Sequence, residues 1–253
     1  MAATFESLTL FFPMWNEEEM INRTVEAARE IGDDLVANGE VGTYEILLVD
    51  DASTDATGKM ADELAAADPR VRVIHHAVNR KLGASVRTGL AEATGELVLY
   101  TDADMPFDLA DLHKALRLMR IYDADIVSAY RFDRTGEGAK RALYSHAYNS
   151  LVKGLLRLRI RDVNFAFKVV RREVLEHIEL QSEGSFIDVE LLAKAQRRGF
   201  HIIQFGVDYF PRARGTSTLS SPAVIVKIVK ELAAVLPSLR RVEPLPENVA
   251  RHR

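Results

Sequence analysis

The chain has 253 residues, enough to bury a sizeable core in one large α/β domain or in two small domains. Its 47% hydrophobic and 28% charged residues are typical of a globular protein. The net charge of −4 argues against nucleic-acid binding, and the absence of cysteine excludes disulfides and thiolate chemistry. No apolar run reaches the roughly 18 residues of a membrane span, and the first residues do not resemble a signal peptide, so we expect a cytoplasmic protein.

Short apolar segments alternate with longer amphipathic segments in the first half of the chain. Asn16 is the predicted cap of the first helix. Buried strands separated by helices predict βαβ units, hence an α/β fold with a mostly parallel sheet flanked by helices. The predicted strands are 8–13, 45–51, 71–76, 96–102 and 124–130; the predicted helices are 17–38, one ending near 66, 83–93 and 109–121.

The pattern changes after residue 131. Two segments rich in charged residues, Gly or Ser are predicted to be loops, at 131–143 and 212–221. We expect the first of them to lie at an active site. The other predicted elements are helices at 144–158, 187–198 and 222–236 and strands at 164–171 and 201–209. We find no linker, so we predict a single domain over 1–240, with a nucleotide-binding half at about 8–130, an acceptor half at about 131–240 and a polar tail at 241–253.

Acidic residues directly follow three of the predicted strands. In an open parallel sheet, ligands bind beyond the carboxyl ends of the strands. One acidic turn there is usually a helix cap or an Asx-turn, but three at one edge indicate a ligand site. The three groups are Glu17 with Asn16, then Asp50, Asp51 and Asp55, and finally Asp102 and Asp104.

Asp102 and Asp104 form a D-x-D sequence after the buried strand at 96–102. Alternate carboxylates on a turn can bind one hard divalent cation, Mg²⁺ or Mn²⁺, which keeps its waters and also binds a substrate diphosphate. We therefore predict that Asp102 and Asp104 are metal ligands. The seven histidines have no metal-binding spacing, which argues against zinc.

Several ordered motifs resemble glycosyltransferase family two, whose members have the GT-A (nucleotide-diphospho-sugar transferase) fold. The similarity is greatest to the dolichyl- or polyprenyl-phosphate sugar synthase branch and extends over about residues 8–219. The motifs are FPMWNE (12–17), VDDASTD (49–55), NRKLGASVRTG (79–89), YTDAD (100–104), DVNFAFK (162–168) and RARGTS (212–217). The resemblance implies an inverting hexosyltransferase that uses a UDP- or GDP-sugar.

The resemblance also implies roles for single residues in binding the nucleotide sugar. Pro13 and Glu17 would border the base and ribose, and Asp51 would accept a base N–H, which either uracil or guanine can supply. Asp102 would lie near the ribose or the metal. Arg212 would neutralise the diphosphate as it leaves.

Two positions depart from the pattern of this branch. Asp104 would be the principal metal ligand, but Pro106 stands where the branch often has Gln, so the third protein ligand stays open. Ala166 replaces a Gly and tightens the backbone on the acceptor side.

Arg131, Arg141, Ser145 and Lys168 form a cationic and hydroxyl-bearing set in an acidic chain. Guanidinium groups match phosphate oxygens, so we expect this set to bind the phosphate of an acceptor. By resemblance the first three lie where polyprenyl-phosphate enzymes hold that phosphate, which implies a polyprenyl phosphate acceptor. The alternative is a solvated surface with ion pairs. Asp188 would be a general base for a hydroxyl acceptor and an orienting group for a phosphate acceptor.

Other interpretations stay open at this point. The helix at 222–236, with Lys227 and Lys230, either rests on the inner face of an anionic membrane or packs on the sheet. An aspartate-dependent phosphatase, a nucleotide-sugar pyrophosphorylase and a non-catalytic nucleotide-sugar-binding protein are alternative functions. Pro106 disfavours the phosphatase, and the sequence MWNE (14–17) disfavours the pyrophosphorylase.

Overall fold

The computed structural model describes residues 4–132, 152, 154–209 and 222–246, and gives only the backbone for 222–230. The loop predicted at 212–221 and most of the loop at 131–143 lie outside the described residues. So do Arg141, Ser145 and Arg212.

Seven strands of the described residues form one sheet in the order β3-β2-β1-β4-β6-β5-β7. Strand β6 runs antiparallel to both neighbours, and all other pairs are parallel. The predicted mostly parallel α/β sheet is therefore confirmed. The strands are β1 (Phe5–Met14), β2 (Val41–Asp50), β3 (Val71–His75), β4 (Leu97–Thr101), β5 (Ile126–Arg131), β6 (Phe167–Arg171) and β7 (Ile202–Val207).

Helices cover both faces of the sheet, and the first and fourth of them carry a buried apolar stripe toward it. They are α1 (Ile21–Ala37), α2 (Thr57–Ala67), α3 (Leu82–Glu92), α4 (Asp111–Ile121), α5 (Arg172–Glu176), α6 (Ile187–Arg198) and α7 (Pro222–Arg240). The prediction for Asn16 is wrong: α1 follows Met20, which makes no side-chain cap, and Asn16 instead accepts a hydrogen bond from the Thr54 backbone N–H at 2.8 Å.

Strand β1 lies inside the sheet, between β2 and β4, and is buried on both faces. Leu8, Leu10 and Phe12 join the core under α1 and α4, whereas Phe11 joins the core under α3 and α6. This alternation follows from the two-residue period of a strand, and it fixes which helices cover each face.

Helix α7 contributes to the core through its second half. Leu232, Val235 and Leu239 are buried there, and the backbone N–H of Leu245 donates to the Arg198 carbonyl at 3.0 Å. For these residues the structure favours packing on the domain over contact with a membrane.

Helix α3 approaches the sheet closely at Gly89. A Cβ atom at this position would lie 2.1 Å from the Phe11 ring, far inside van der Waals contact. The absence of a side chain therefore sets the distance between α3 and β1.

We expect Gly89→Ala to lower the free energy of unfolding by about 1–3 kcal/mol, because the Phe11 ring must move in a packed core. Urea unfolding measures the loss. Gly154→Ala is the matched control, since outside its own helix no atom of the described residues lies within 4 Å of its added Cβ. Equal stability of the two variants would contradict the close packing.

Candidate functional site

The loops after β1 and β2 are joined at the carboxyl edge of the sheet. Met14 pairs with Asp50 in the parallel register, and the Asp51 backbone N–H donates to the Met14 carbonyl at 2.9 Å. The Glu17 backbone N–H donates to Thr57 Oγ1 at 2.8 Å. The structure thus brings the predicted residues Glu17 and Asp51 onto neighbouring strand ends.

Backbone strain is concentrated at the same edge. Four of the six described non-glycine residues with positive φ lie in the loops that lead from β1 to β4 into the helices that follow them: Asn16 (55°), Ala52 (55°), Lys81 (70°) and Met105 (36°). Such conformations cost of the order of 1–3 kcal/mol each for most residues and gather at ligand-binding sites. Their position supports the prediction that this edge binds a ligand.

Asp51 is buried and its carboxylate is held in one orientation. His76 Nδ1–H donates to Asp51 Oδ1 at 2.6 Å, and the Arg80 backbone N–H donates to the same oxygen at 2.8 Å. Asn79 Nδ2 donates to the Asp51 carbonyl at 3.1 Å. The sequence indicated only that His76 lies near a strand end; its contact with Asp51 follows from the β2–β3 register, in which Asp50 pairs with His75.

Asp102 and Asp104 follow β4 at the same edge, and both oxygens of the Asp104 carboxylate are screened from solvent. Within the described part of the chain, no group of three or more His, Asp or Glu residues could hold a metal ion. The two carboxylates nevertheless fit Mg²⁺ or Mn²⁺, which are commonly held by one or two carboxylates, substrate phosphates and water.

Lys168 and Asp188 form a buried ion pair between β6 and α6. Lys168 Nζ donates to Asp188 Oδ1 at 2.6 Å and to the Phe165 carbonyl at 2.8 Å, and the Lys168 side chain is 0% exposed. Burial raises the pKa of Asp188, and the Lys168 charge opposes this rise. Lys168 was predicted to bind an acceptor phosphate, but its placement favours an action through Asp188.

Tyr100 connects this ion pair to the predicted metal site. Lys168 pairs with Tyr100 in the antiparallel β4–β6 register, and its Nζ lies 5.7 Å from the centre of the Tyr100 ring. Burial raises the pKa of Tyr100 well above its usual value, and the charges of Asp188 and Asp102 raise it further. Asp188 and Asp102 therefore both lie close to this ring.

Arg131 also belongs to a buried pair rather than to a solvated surface. Its Nε and one terminal nitrogen donate to the two carboxylate oxygens of Asp162, at 2.8 and 3.2 Å. The guanidinium lies 5.3 Å from the centre of the Tyr209 ring. Sequence reasoning gave no role to Asp162, although it opens the motif 162–168; its negative charge also raises the pKa of Asp188.

Removing the Lys168 charge should make the stability of the protein depend on pH. In Lys168→Met the Asp188 carboxylate is buried without its cation, which costs about 3–5 kcal/mol. Its pKa, already raised, rises further, so the folded state binds more protons than the unfolded state and stability falls as pH increases. The loss relative to the wild type should be larger at pH 8 than at pH 5.

Urea unfolding at the two pH values measures this difference. The control variant combines Lys168→Met with Asp188→Asn, which removes the titrating group and should remove the added pH dependence. A loss of stability in Lys168→Met that is the same at both pH values would contradict the assignment.

A mostly parallel sheet with an Asp-x-Asp pair and a fixed carboxylate at its carboxyl edge defines the class of GT-A glycosyltransferases. Residues 9–179 match the family model described as Glycosyl transferase family 2. The chain belongs to this family, as the motifs predicted. The phosphatase and pyrophosphorylase alternatives are therefore wrong.

Two curated relatives are glycosyltransferases by name, and one of them belongs to the polyprenyl-phosphate branch. Glycosyltransferase AglD of Haloferax volcanii is 31% identical over 210 residues, which are 81% of this chain and 33% of that protein. Polyprenol monophosphomannose synthase of Mycolicibacterium smegmatis is 33% identical over 190 residues, or 69% and 70% of the two chains. The chain thus spans only about a third of the length of AglD.

Solved structures of glycosyltransferases share the fold. A mannosyltransferase from Pyrobaculum calidifontis, in complex with GDP-Man and Mn²⁺, aligns with a TM-score of 0.62 at 20% identity, over 99% of this chain and 69% of that one. Glucosyl-3-phosphoglycerate synthase from Mycobacterium tuberculosis, in complex with Mn²⁺, UDP-Glc and phosphoglyceric acid, aligns with a TM-score of 0.65 at 17% identity, over 96% and 81%. In the part of the chain that the structure describes, no helix is long and apolar enough to cross a membrane.

Proposed function

We propose that the protein transfers a sugar from a nucleoside-diphosphate sugar to a polyprenyl phosphate, with inversion at the anomeric carbon. The observation that carries the donor half is the carboxylate of Asp51, buried and fixed by His76 and Arg80 at the edge that also carries Asp102. The name of the mycobacterial relative, a polyprenol monophosphomannose synthase, supports the acceptor half.

The nucleoside would lie across the ends of β1 and β2. Pro13 and Glu17 border the base and the ribose, and Asp51 accepts a ring N–H of the base through Oδ2. The hydrogen bonds from His76 and from the Arg80 backbone both reach Oδ1 of Asp51. No donor of the described residues reaches Oδ2. A buried acceptor of this kind is stabilised when a ligand supplies the donor.

The diphosphate would lie above the end of β4. Asp102 and Asp104 are the residues that would hold Mg²⁺ or Mn²⁺ beside the donor diphosphate, and a bound cation would supply positive charge where the leaving group becomes negative. Arg212 adds a second positive charge to the leaving group. The acceptor oxygen attacks C1 from the face opposite the diphosphate, which inverts the configuration.

A lipid phosphate acceptor does not require a catalytic base, because it is already anionic near neutral pH, with a second pKa of about 6. Arg131, Arg141 and Ser145 bind this phosphate, and the bidentate contact with Asp162 fixes the plane of the Arg131 guanidinium. Asp188, held by Lys168, then orients the groups around the acceptor.

A hydroxyl acceptor is the second candidate, and one observation favours it. Burial raises the pKa of Asp188, and the group lies near Tyr100 and hence near Asp102. A carboxylate with a raised pKa is a better general base at neutral pH.

The metal site is tested by Asp104→Asn, which keeps the side-chain shape and removes the charge. We expect transfer to fall by about 10³-fold or more, because several kcal/mol of charge stabilisation are lost with the metal. A chelator should abolish the wild-type activity as well. Transfer of radiolabelled sugar measures both effects.

Asp108→Asn is the matched control for Asp104→Asn. Asp108 is exposed, lies in the same segment, and its Oδ1 accepts the Ala110 backbone N–H, which an amide oxygen can also do. The control should keep full activity. Full activity of Asp104→Asn with chelator present would refute the metal site.

The acceptor is tested with a short polyprenyl phosphate and with the corresponding alcohol, each given with a nucleotide sugar and Mn²⁺. We expect product only from the phosphate. Asp188→Asn separates the two mechanisms further, because its amide oxygen can still accept from Lys168. The variant should retain most activity toward a phosphate, but lose about 10²–10⁴-fold toward a hydroxyl that needs a base. Equal glycosylation of the alcohol would exclude the lipid-phosphate proposal.

A further inference from the structure

The hydrogen bonds around Asp51 bear on which nucleotide the donor site accepts, and this inference rests on the proposed function. A carboxylate has two oxygens with about four lone-pair positions in total, hence about two per oxygen. Asp51 Oδ1 already accepts two hydrogen bonds, from His76 Nδ1 at 2.6 Å and from the Arg80 backbone N–H at 2.8 Å. Both acceptor positions of Oδ1 are therefore occupied before any ligand binds, whereas those of Oδ2 are not.

Neither of these donors can turn away easily. The His76 side chain is 6% exposed, and its other ring nitrogen, Nε2, lies 2.9 Å from Thr88 Oγ1 on α3. The Arg80 donor is a backbone N–H in a segment that Asn79 ties to the Asp51 carbonyl. The Asp51 backbone is itself fixed by its N–H bond to the Met14 carbonyl.

Uracil and guanine make different demands on such a carboxylate. Guanine has two adjacent donors, a ring N–H and an exocyclic amino group, and they match a carboxylate when each oxygen takes one. Uracil has a single ring N–H between two carbonyl groups. With Oδ1 filled, Asp51 satisfies the one donor of uracil through Oδ2. It can no longer offer one oxygen to each of the two parallel donors of guanine, and a single oxygen cannot accept both of them in good geometry.

We propose that the pair of donors on Asp51 Oδ1 selects a base with one ring N–H, so that the donor substrate is a UDP-sugar rather than a GDP-sugar. His76 is then a specificity-determining residue that acts through Asp51. A polar site rejects a ligand whose buried donor remains unpaired more strongly than it rejects a small change of shape.

The test is calorimetric titration of the wild-type chain with UDP, GDP and IDP in the presence of Mn²⁺. IDP differs from GDP only by lacking the exocyclic amino group, so this pair isolates the extra donor. UDP should bind most tightly, and IDP should bind more tightly than GDP by about 5- to 150-fold, the penalty for one buried donor without a partner.

Two variants at His76 locate the cause. His76→Phe keeps a ring of similar size but removes the N–H. One acceptor position of Oδ1 then becomes free for a guanine donor, so the ratio of IDP to GDP affinity should fall toward one. His76→Asn carries an amide N–H at the place of Nδ1 and should keep the wild-type ratio. Thermal unfolding checks that both variants fold. If His76→Phe does not fold, the test rests on the ratio of IDP to GDP affinity in the wild-type chain.

The outcomes separate this inference from the proposed function. If GDP binds as tightly as UDP and IDP, the assignment of uracil is wrong, but the proposal of a nucleotide-sugar enzyme still stands. An unchanged ratio in a folded His76→Phe would also overturn it. If none of the three nucleotides binds, the proposed donor site itself is refuted, and the inference with it.

Discussion

The antiparallel pairing of β6 with β4 connects the strands of the first half of the chain to those of the second half. In its register Thr101 lies opposite Phe167 and Tyr100 opposite Lys168, so the segment before β6 arrives at the edge where β4 ends. A parallel strand at this position would have brought that segment to the opposite end of the sheet. Asp102, the Lys168–Asp188 pair and Asp162 are neighbours because of this one reversal of direction.

Buried carboxylates dominate the electrostatics of the site, and each is stabilised in a different way. Asp188 has a lysine ammonium, Asp162 has a bidentate guanidinium, and Asp51 has a histidine and a backbone N–H. Burying a charge is costly unless it is paired or hydrogen-bonded, so these partners offset the cost of placing carboxylates in the interior. The same partners fix the direction of each carboxylate, which gives the site a defined geometry before a substrate binds.

The strand ends are also rigid. Hydrogen bonds join the loops after β1 and β2, and non-glycine residues take positive φ after each of the first four strands. A strained backbone persists only when the surrounding contacts determine it, and such contacts lower the entropy that a ligand would otherwise have to remove. The loops that border the proposed nucleoside site therefore belong to the folded framework.

The sequence by itself determined the fold class, the strands and the edge that carries the acidic residues, because apolar periodicity and strand-end position are local features. Only the tertiary structure decided how distant side chains pair. The pairs of His76 with Asp51, Lys168 with Asp188 and Arg131 with Asp162 join residues 20 to 31 positions apart. They depend on strand order, strand direction and register, which a single sequence does not specify, since many arrangements bury the same apolar residues.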